Sequence, residues 1–160
     1  MNLDLERQPI GRSQLELAGK IDLGPREGGP TAVEVTGSLQ VDNLGSRFLL
    51  TGRLGARGEV ECGRCLAPFV LAYDVPVEIM VICSVETDDD MGDTLVIQQR
   101  SGEVDLSGAL REAAILALPQ IRVCRPDCRG LCAQCGADLN ITRCDCTDEE
   151  VDPRWDGLPE

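Results

Sequence analysis

Six cysteines, Cys124, Cys128, Cys132, Cys135, Cys144 and Cys146, fall within 23 residues. A segment that short cannot build a core of its own, so something other than apolar burial must hold it. Thiol chemistry offers two means, disulfides or a metal ion. The spacing favours the ion. Cys132-Ala-Gln-Cys135-Gly136 reads as a knuckle that folds two thiolates onto one ion with backbone amides pointing at the sulfurs. The neighbouring pairs supply enough ligands for a closed, tetrahedral, four-cysteine zinc site. Spacing does not decide which of Cys124, Cys128, Cys144 and Cys146 complete the tetrahedron.

A further pair, Cys62 and Cys65, stands far upstream at an expected strand turn. It can bind a second ion, join the first, or remain as free thiols. Eight of the nine cysteines thus form short-range pairs, and two four-cysteine sites are arithmetically available, a single C-terminal site being the smaller claim. Cys83 lies alone on the apolar parity of a strand and reads as a small buried hydrophobe. A redox dithiol usually sits at a helix N-terminus, where the dipole lowers the thiol pKa; the flanks of both Cys-x-x-Cys pairs suggest turns instead.

Residues Met1 to Glu6 show no basic start and no apolar stretch, so the reading is cytoplasmic, where disulfides are rare. No run approaches the roughly 20 apolar residues of a membrane helix. With no histidine in the chain, Ser-His-Asp and Cys-His nucleophile pairs and the HExxH helix are excluded. The net charge of −13 repels nucleic-acid phosphates and anionic membranes on average and attracts basic partners. The cysteine-rich stretch departs from that average, with Arg122, Arg125, Arg129 and Arg143 against Asp127, Asp138 and Asp145. Aromatic residues are limited to Phe48, Phe69, Tyr73 and Trp155, too few for a base-stacking platform.

The first hundred residues alternate. From Phe69 to Val85 the odd positions are apolar throughout, the period-2 mark of a strand with one buried face, and Pro76 predicts a bend, bulge or edge position. Leu15 and Leu17, Val33 and Val35, Leu39 and Val41, then Phe48, Leu50 and Leu54 repeat the pattern between glycine-rich turns. A further strand is expected over 94–98. The acidic run Glu86 to Asp93 misses the register of a calcium loop and reads as a solvated loop. The period then changes: Leu106, Ala109, Leu110, Ala113, Ala114, Ala117 and Leu118 predict an amphipathic helix over about 105–118, with Asp105 as N-cap and Pro119 as terminator.

The expected architecture is α+β, mainly β: an antiparallel meander or small barrel-like sheet with one amphipathic helix and a C-terminal four-cysteine zinc module. Residues 1–119 form the body, 120–147 the module and 148–160 an acidic tail whose Trp155 docks on the body or on a partner.

Several motifs together resemble the YceD family of large ribosomal RNA subunit accumulation proteins: Cys62-Gly-Arg-Cys65-Leu66, Val104-Asp105-Leu106 leading into Leu110-Arg111-Glu112 and Leu116-Ala117-Leu118-Pro119, Cys128-Arg-Gly-Leu-Cys132-Ala-Gln-Cys135-Gly-Ala-Asp-Leu139-Asn140, and Asp152-Pro153-Arg154-Trp155. Asp138 stands where many relatives have asparagine. The resemblance implies a non-enzymatic factor supporting 23S rRNA accumulation and large-subunit assembly, acting through a ribosomal protein, rRNA or both, with no membrane and no small-molecule substrate. Arg64, Arg111, Arg122, Arg125 and Arg129 are its candidate phosphate contacts and Trp155 a candidate partner contact. Two other classes remain open: a thiol-disulfide oxidoreductase using the Cys-x-x-Cys pairs, and a structural zinc-ribbon subunit of another complex.

Overall fold

The computed structural model describes residues 1–25, 27–83, 95–99 and 102–146. The acidic run at 86–93, the tail at 148–160 with Trp155, and the expected strand positions Val85 and Thr94 lie outside the described residues. The alternating segments become long strands: β1 Asn2–Asp4, β2 Gly11–Asp22, β3 Ala32–Asn43, β4 Arg47–Glu61, β5 Pro68–Ile82, β6 Leu95–Gln98 and β7 Glu103–Asp105, followed by helix α1 Ser107–Leu116.

Strands β2 to β5 form the expected antiparallel meander in sequence order. Two features depart from it. Strand β6 joins the outer edge of β5 in parallel, Ile79 opposite Leu95 through Ile82 opposite Gln98, and β1 pairs with β7 as a separate two-stranded ribbon. Strand β6 spans only the last third of β5, so Pro76 lies where β5 has β4 on one side and no β6 partner on the other. A residue without an N–H is tolerated at such an edge, and β5 runs through it unbroken.

One face of the sheet carries the core, with Val33, Val35, Leu39, Val41, Leu50, Leu54, Val75, Val77, Ile79 and Val81 all buried. The β3–β4 pairing is interrupted between Thr36 opposite Gly55 and Leu39 opposite Gly52. Gly37 and Gly52 hold φ of +147° and +156° there. A Cβ on Gly52 would lie 2.9 Å from Leu39 Cδ2 and 3.1 Å from the Ser38 carbonyl, so only glycine lets the strands approach this closely.

Helix α1 closes the core with Leu110, Ala113 and Ala114 buried. Removing the apolar surface of Leu110 alone from water is worth about 2 kcal/mol. The helix is shorter than the expected 105–118 span. Asp105 ends β7 and is not the N-cap, which is Leu106 without a side-chain cap; its carboxylate accepts instead from the Ser107 N–H at 2.9 Å. The other end stops at Leu116, short of Pro119. Arg111 fastens the helix to the end of β2, donating from Nε to the Asp22 carbonyl and from Nη2 to the Leu23 carbonyl, both at 3.1 Å. No helix among the described residues is long and apolar enough to cross a membrane.

Candidate metal centre

The β4–β5 ladder is the longest in the molecule, running without a break from Arg47 opposite Ile82 to Glu61 opposite Pro68. Cys62 and Cys65 sit at its tip, in the turn between Glu61 and Pro68. The tip closes as a knuckle in which the Leu66 N–H donates to the Cys62 carbonyl at 2.9 Å and the Cys62 N–H to the Ala67 carbonyl at 3.0 Å.

The chain returns to this tip after α1. The Gly63 N–H donates to the Arg122 carbonyl at 2.7 Å and the Leu131 N–H to the Arg64 carbonyl at 3.0 Å. Arg64 Nη1 donates to the Cys128 carbonyl at 2.9 Å. These bonds carry Cys124 and Cys128 to Cys62 and Cys65, and the four sulfurs lie within 4.8 Å of one another. Cys62 to Cys128 measures 3.9 Å and Cys65 to Cys124 3.8 Å. A tetrahedral ion with metal–sulfur bonds of about 2.3 Å sets its sulfurs about 3.8 Å apart. Phe69, Val123 and Leu131 pack around this set, which is closed from water at Cys62 and Cys128.

A second set follows within one small hairpin. Leu131 bridges Asp138, and the knuckle of Cys132 and Cys135 repeats the first: the Gly136 N–H donates to the Cys132 carbonyl and the Cys132 N–H to the Ala137 carbonyl, each at 2.9 Å. Cys144 and Cys146 complete a group whose sulfurs again lie within 4.8 Å of one another. Cys135 and Cys146 are exposed, whereas no member of the first set is, Cys124 being intermediate.

The donor sets fit a cation on electrostatic grounds. Backbone N–H groups, led by that of Cys65, bring the Cys62 thiol down to about 6. Burial, with the thiols of Cys128 and Cys62 adding to it, pushes Cys124 up to about 12. The second set repeats the contrast, with Cys132 brought down to about 6 by the amides of Cys135 and Gln134 and Cys146 pushed up to about 12 by hydrogen bonding with the Cys135 and Cys132 thiols. One thiolate per set is stabilised by amides, and crowding resists the next. A dication removes that resistance and lets all four sulfurs ionise. Cys83 stands apart, half-buried against the main core, with its pKa raised by burial.

The knuckles differ at one residue. Gly136 holds φ +71° where Leu66 holds +60°, and Leu66 is the one non-glycine residue with positive φ among those described. A left-handed leucine costs roughly 1–2 kcal/mol relative to glycine. Nothing in the sequence marks Leu66 as strained.

The candidate arginines have varied fates. Arg64 and Arg111 donate to carbonyls as described, and Arg122 donates from Nη1 to the Pro119 carbonyl at 3.2 Å. Arg125 is exposed, bonds Asn140 Oδ1 from Nη2 at 2.9 Å and approaches Asp127 at 3.5 Å. Arg129 is exposed. Asn140, not among the candidates, lies between the two sets. Its Oδ1 also accepts from the Arg129 N–H at 2.9 Å, and its Nδ2 donates to Cys128 Sγ at 3.6 Å and to Asp138 Oδ1 at 2.7 Å. The sequence signal for it was its place at the end of the second knuckle motif.

Fold and site together define a mainly-β protein whose longest hairpin and C-terminal segment converge on two four-cysteine sets that can each hold a metal ion. Residues 50–160 match the family described as Large ribosomal RNA subunit accumulation protein YceD, and the chain belongs to that family. An uncharacterized protein of Mycobacterium tuberculosis is 35% identical over 123 residues, covering 76% of this chain and 59% of its own length. One of Mycobacterium leprae is 28% identical over 127 residues, covering 76% and 56%. The chloroplastic large ribosomal RNA subunit accumulation protein YCED homolog 1 of Zea mays is 36% identical over 72 residues, covering 43% of this chain and 25% of its own length. The chain therefore spans less than two thirds of the length of these relatives. No solved structure matches it.

Proposed function

We propose that this protein is a non-enzymatic cytoplasmic factor that supports accumulation of 23S rRNA during large-subunit assembly. In this reading Cys62, Cys65, Cys124 and Cys128 hold one zinc ion and Cys132, Cys135, Cys144 and Cys146 a second. The observation that carries it is the convergence of eight cysteines into two four-cysteine sets in a chain of this family. Zinc, a non-redox ion suited to closed thiolate sites, serves as a structural tie here.

The primary contact in this reading is a basic ribosomal protein, and rRNA is secondary. The charge of −13 supports that order. So does the use of Arg64, Arg111 and Arg122 on backbone carbonyls; Arg125 and Arg129 are the candidates whose guanidinium groups have no backbone carbonyl partner among the described residues. A catalytic thiol reading has less support, because both Cys-x-x-Cys pairs sit in hairpin knuckles rather than at a helix N-terminus.

Removing the protein from its own cell and following large-subunit particles and 23S rRNA on sucrose gradients tests the proposal. A selective loss of large-subunit material is expected, while an unchanged profile would overturn it. Salt titration of binding to a 23S rRNA fragment tests the order of contacts. A slope corresponding to many phosphates would contradict the protein-first reading.

A further inference from the structure

We propose that the surface beside the first knuckle, made by Leu66, Pro68 and Val70 with Glu59 and Glu61, docks a basic protein segment that carries an aliphatic side chain. The proposal rests on the protein-first reading above and names the surface that reading lacks.

Leu66 occupies a backbone position that its twin knuckle fills with Gly136, at φ +60° against +71°. The two turns have matching hydrogen bonds, so glycine serves the fold at this position. The leucine returns nothing to the fold. It is 59% exposed, and it is absent from the cluster around Cys62, Cys65 and Cys128, where Phe69, Val123, Cys124 and Leu131 pack. A strained, uncovered aliphatic side chain at the tip of this long hairpin is costly in the free protein, and such strain collects where a surface has a use outside the fold.

The neighbours give that use a chemistry. Val70 is 67% exposed on the outer face of β5. The register sets Glu59 opposite Val70 and Glu61 opposite Pro68, so acids and apolar groups share one strip, which Lys20, Arg57 and Glu34 flank on the β3 side, Glu34 standing opposite both Lys20 and Arg57 in the register. Beside it opens a cavity of about 450 Å³ lined by Gly28, Gly29, Thr31, Glu59, Glu61 and Pro68, together with Val60 and no basic residue. Arg122 Nη2 and Glu61 Oε2 both approach the Gly28 corner of this cavity, the Arg122 Nη1 being held by the Pro119 carbonyl, so Glu59 is the glutamate with no basic group at that corner. A cationic segment gains from the two glutamates and from the net −13, and its aliphatic side chain covers Leu66 and Val70. An RNA strand would meet the glutamates with like charge, as would a second copy of this chain.

The test uses the full chain loaded with zinc, in wild-type form and as Leu66→Gly, Leu66→Asn and Glu59→Lys/Glu61→Lys. Asparagine keeps a Cβ and tolerates the left-handed region. The probes are individually purified large-subunit ribosomal proteins and a 23S rRNA fragment, with sedimentation to detect self-association. Wild type is expected to bind at least one ribosomal protein. Leu66→Gly is expected to melt at a higher temperature than wild type yet bind that protein at least tenfold more weakly, with the asparagine and lysine variants weakened similarly. A ribosomal protein that binds all variants as well as wild type would overturn this surface and leave the protein-first reading standing. Absence of any ribosomal protein partner would overturn both. Binding of RNA or self-association, lost in the variants, would overturn the choice of occupant.

Discussion

Asn140 donates from Nδ2 to Cys128 Sγ at 3.6 Å, and the same side chain accepts from the Arg129 N–H and donates to Asp138 Oδ1, tying the first cysteine set to the hairpin that carries Cys132 and Cys135. An amide donor on a ligating sulfur orients that ligand and offsets part of its negative charge, and loss of such a support costs about 10–100-fold in metal affinity. Asn140→Ala is expected to weaken zinc at the Cys128 set by that order, measured by competition with a chromophoric chelator. Unchanged affinity would show that the backbone alone orients Cys128.

Metal content should follow the partition of the cysteines. Wild-type protein purified without chelator is expected to carry two zinc ions per chain, and Cys62→Ser or Cys132→Ser one. If Cys62→Ser left the zinc content unchanged, the first set would not be a metal site.

The response to pH should depend on the metal. In the metal-free protein Cys62 titrates at about 6, below the ordinary thiol value of about 8.5. A depressed thiol pKa contributes stability that is present above the unfolded value and lost as pH falls through the folded one. Cys124, pushed up to about 12, works in the opposite sense above the unfolded value. Stability of the chelated protein is therefore expected to rise between about pH 6 and 8.5 and decline above that range. The zinc-loaded protein should hold its stability across the same range and release metal in acid, where protons compete for the sulfurs. Chemical denaturation at stepped pH, with and without zinc, checks both curves; coincident curves would mean that no ion is held.

Gly130 joins the two sets through the backbone. It holds φ +78°, and a Cβ there would stand 3.0 Å from the Arg64 carbonyl that accepts from Leu131. Gly130→Ala combines left-handed strain with a backbone clash and is expected to cost about 2–3 kcal/mol of stability. Hydrogen exchange should show the loss at Leu131 and Cys132 first. A variant as stable as wild type would mean that the Arg64 loop can shift to make room.

The sheet was legible because alternation is a local signal, and β2 to β5 each repeat it over a dozen or more residues. Strand β6 is four residues long and pairs with β5 in parallel, a pairing that residue order does not encode. Asp105 looked like a cap because its residue type and position suit one. The β1–β7 pairing instead makes it the end of a strand. The cysteine pairs were plain, but the grouping of Cys62 and Cys65 with Cys124 and Cys128 depends on the Gly63–Arg122 and Leu131–Arg64 backbone bonds. The arginines were visible as charges, and nothing in the sequence showed which would donate to backbone carbonyls.

The first cysteine set draws its members from two ends of a long interval, Cys65 and Cys124 being 59 positions apart. A ribosome adding about 5–20 residues per second therefore exposes the hairpin tip for several seconds before its remaining ligands are made. An ion held at this site would be captured only once the helix and the segment beyond it have been synthesised, and a nascent chain that stops before Cys124 has only half of the cysteine set.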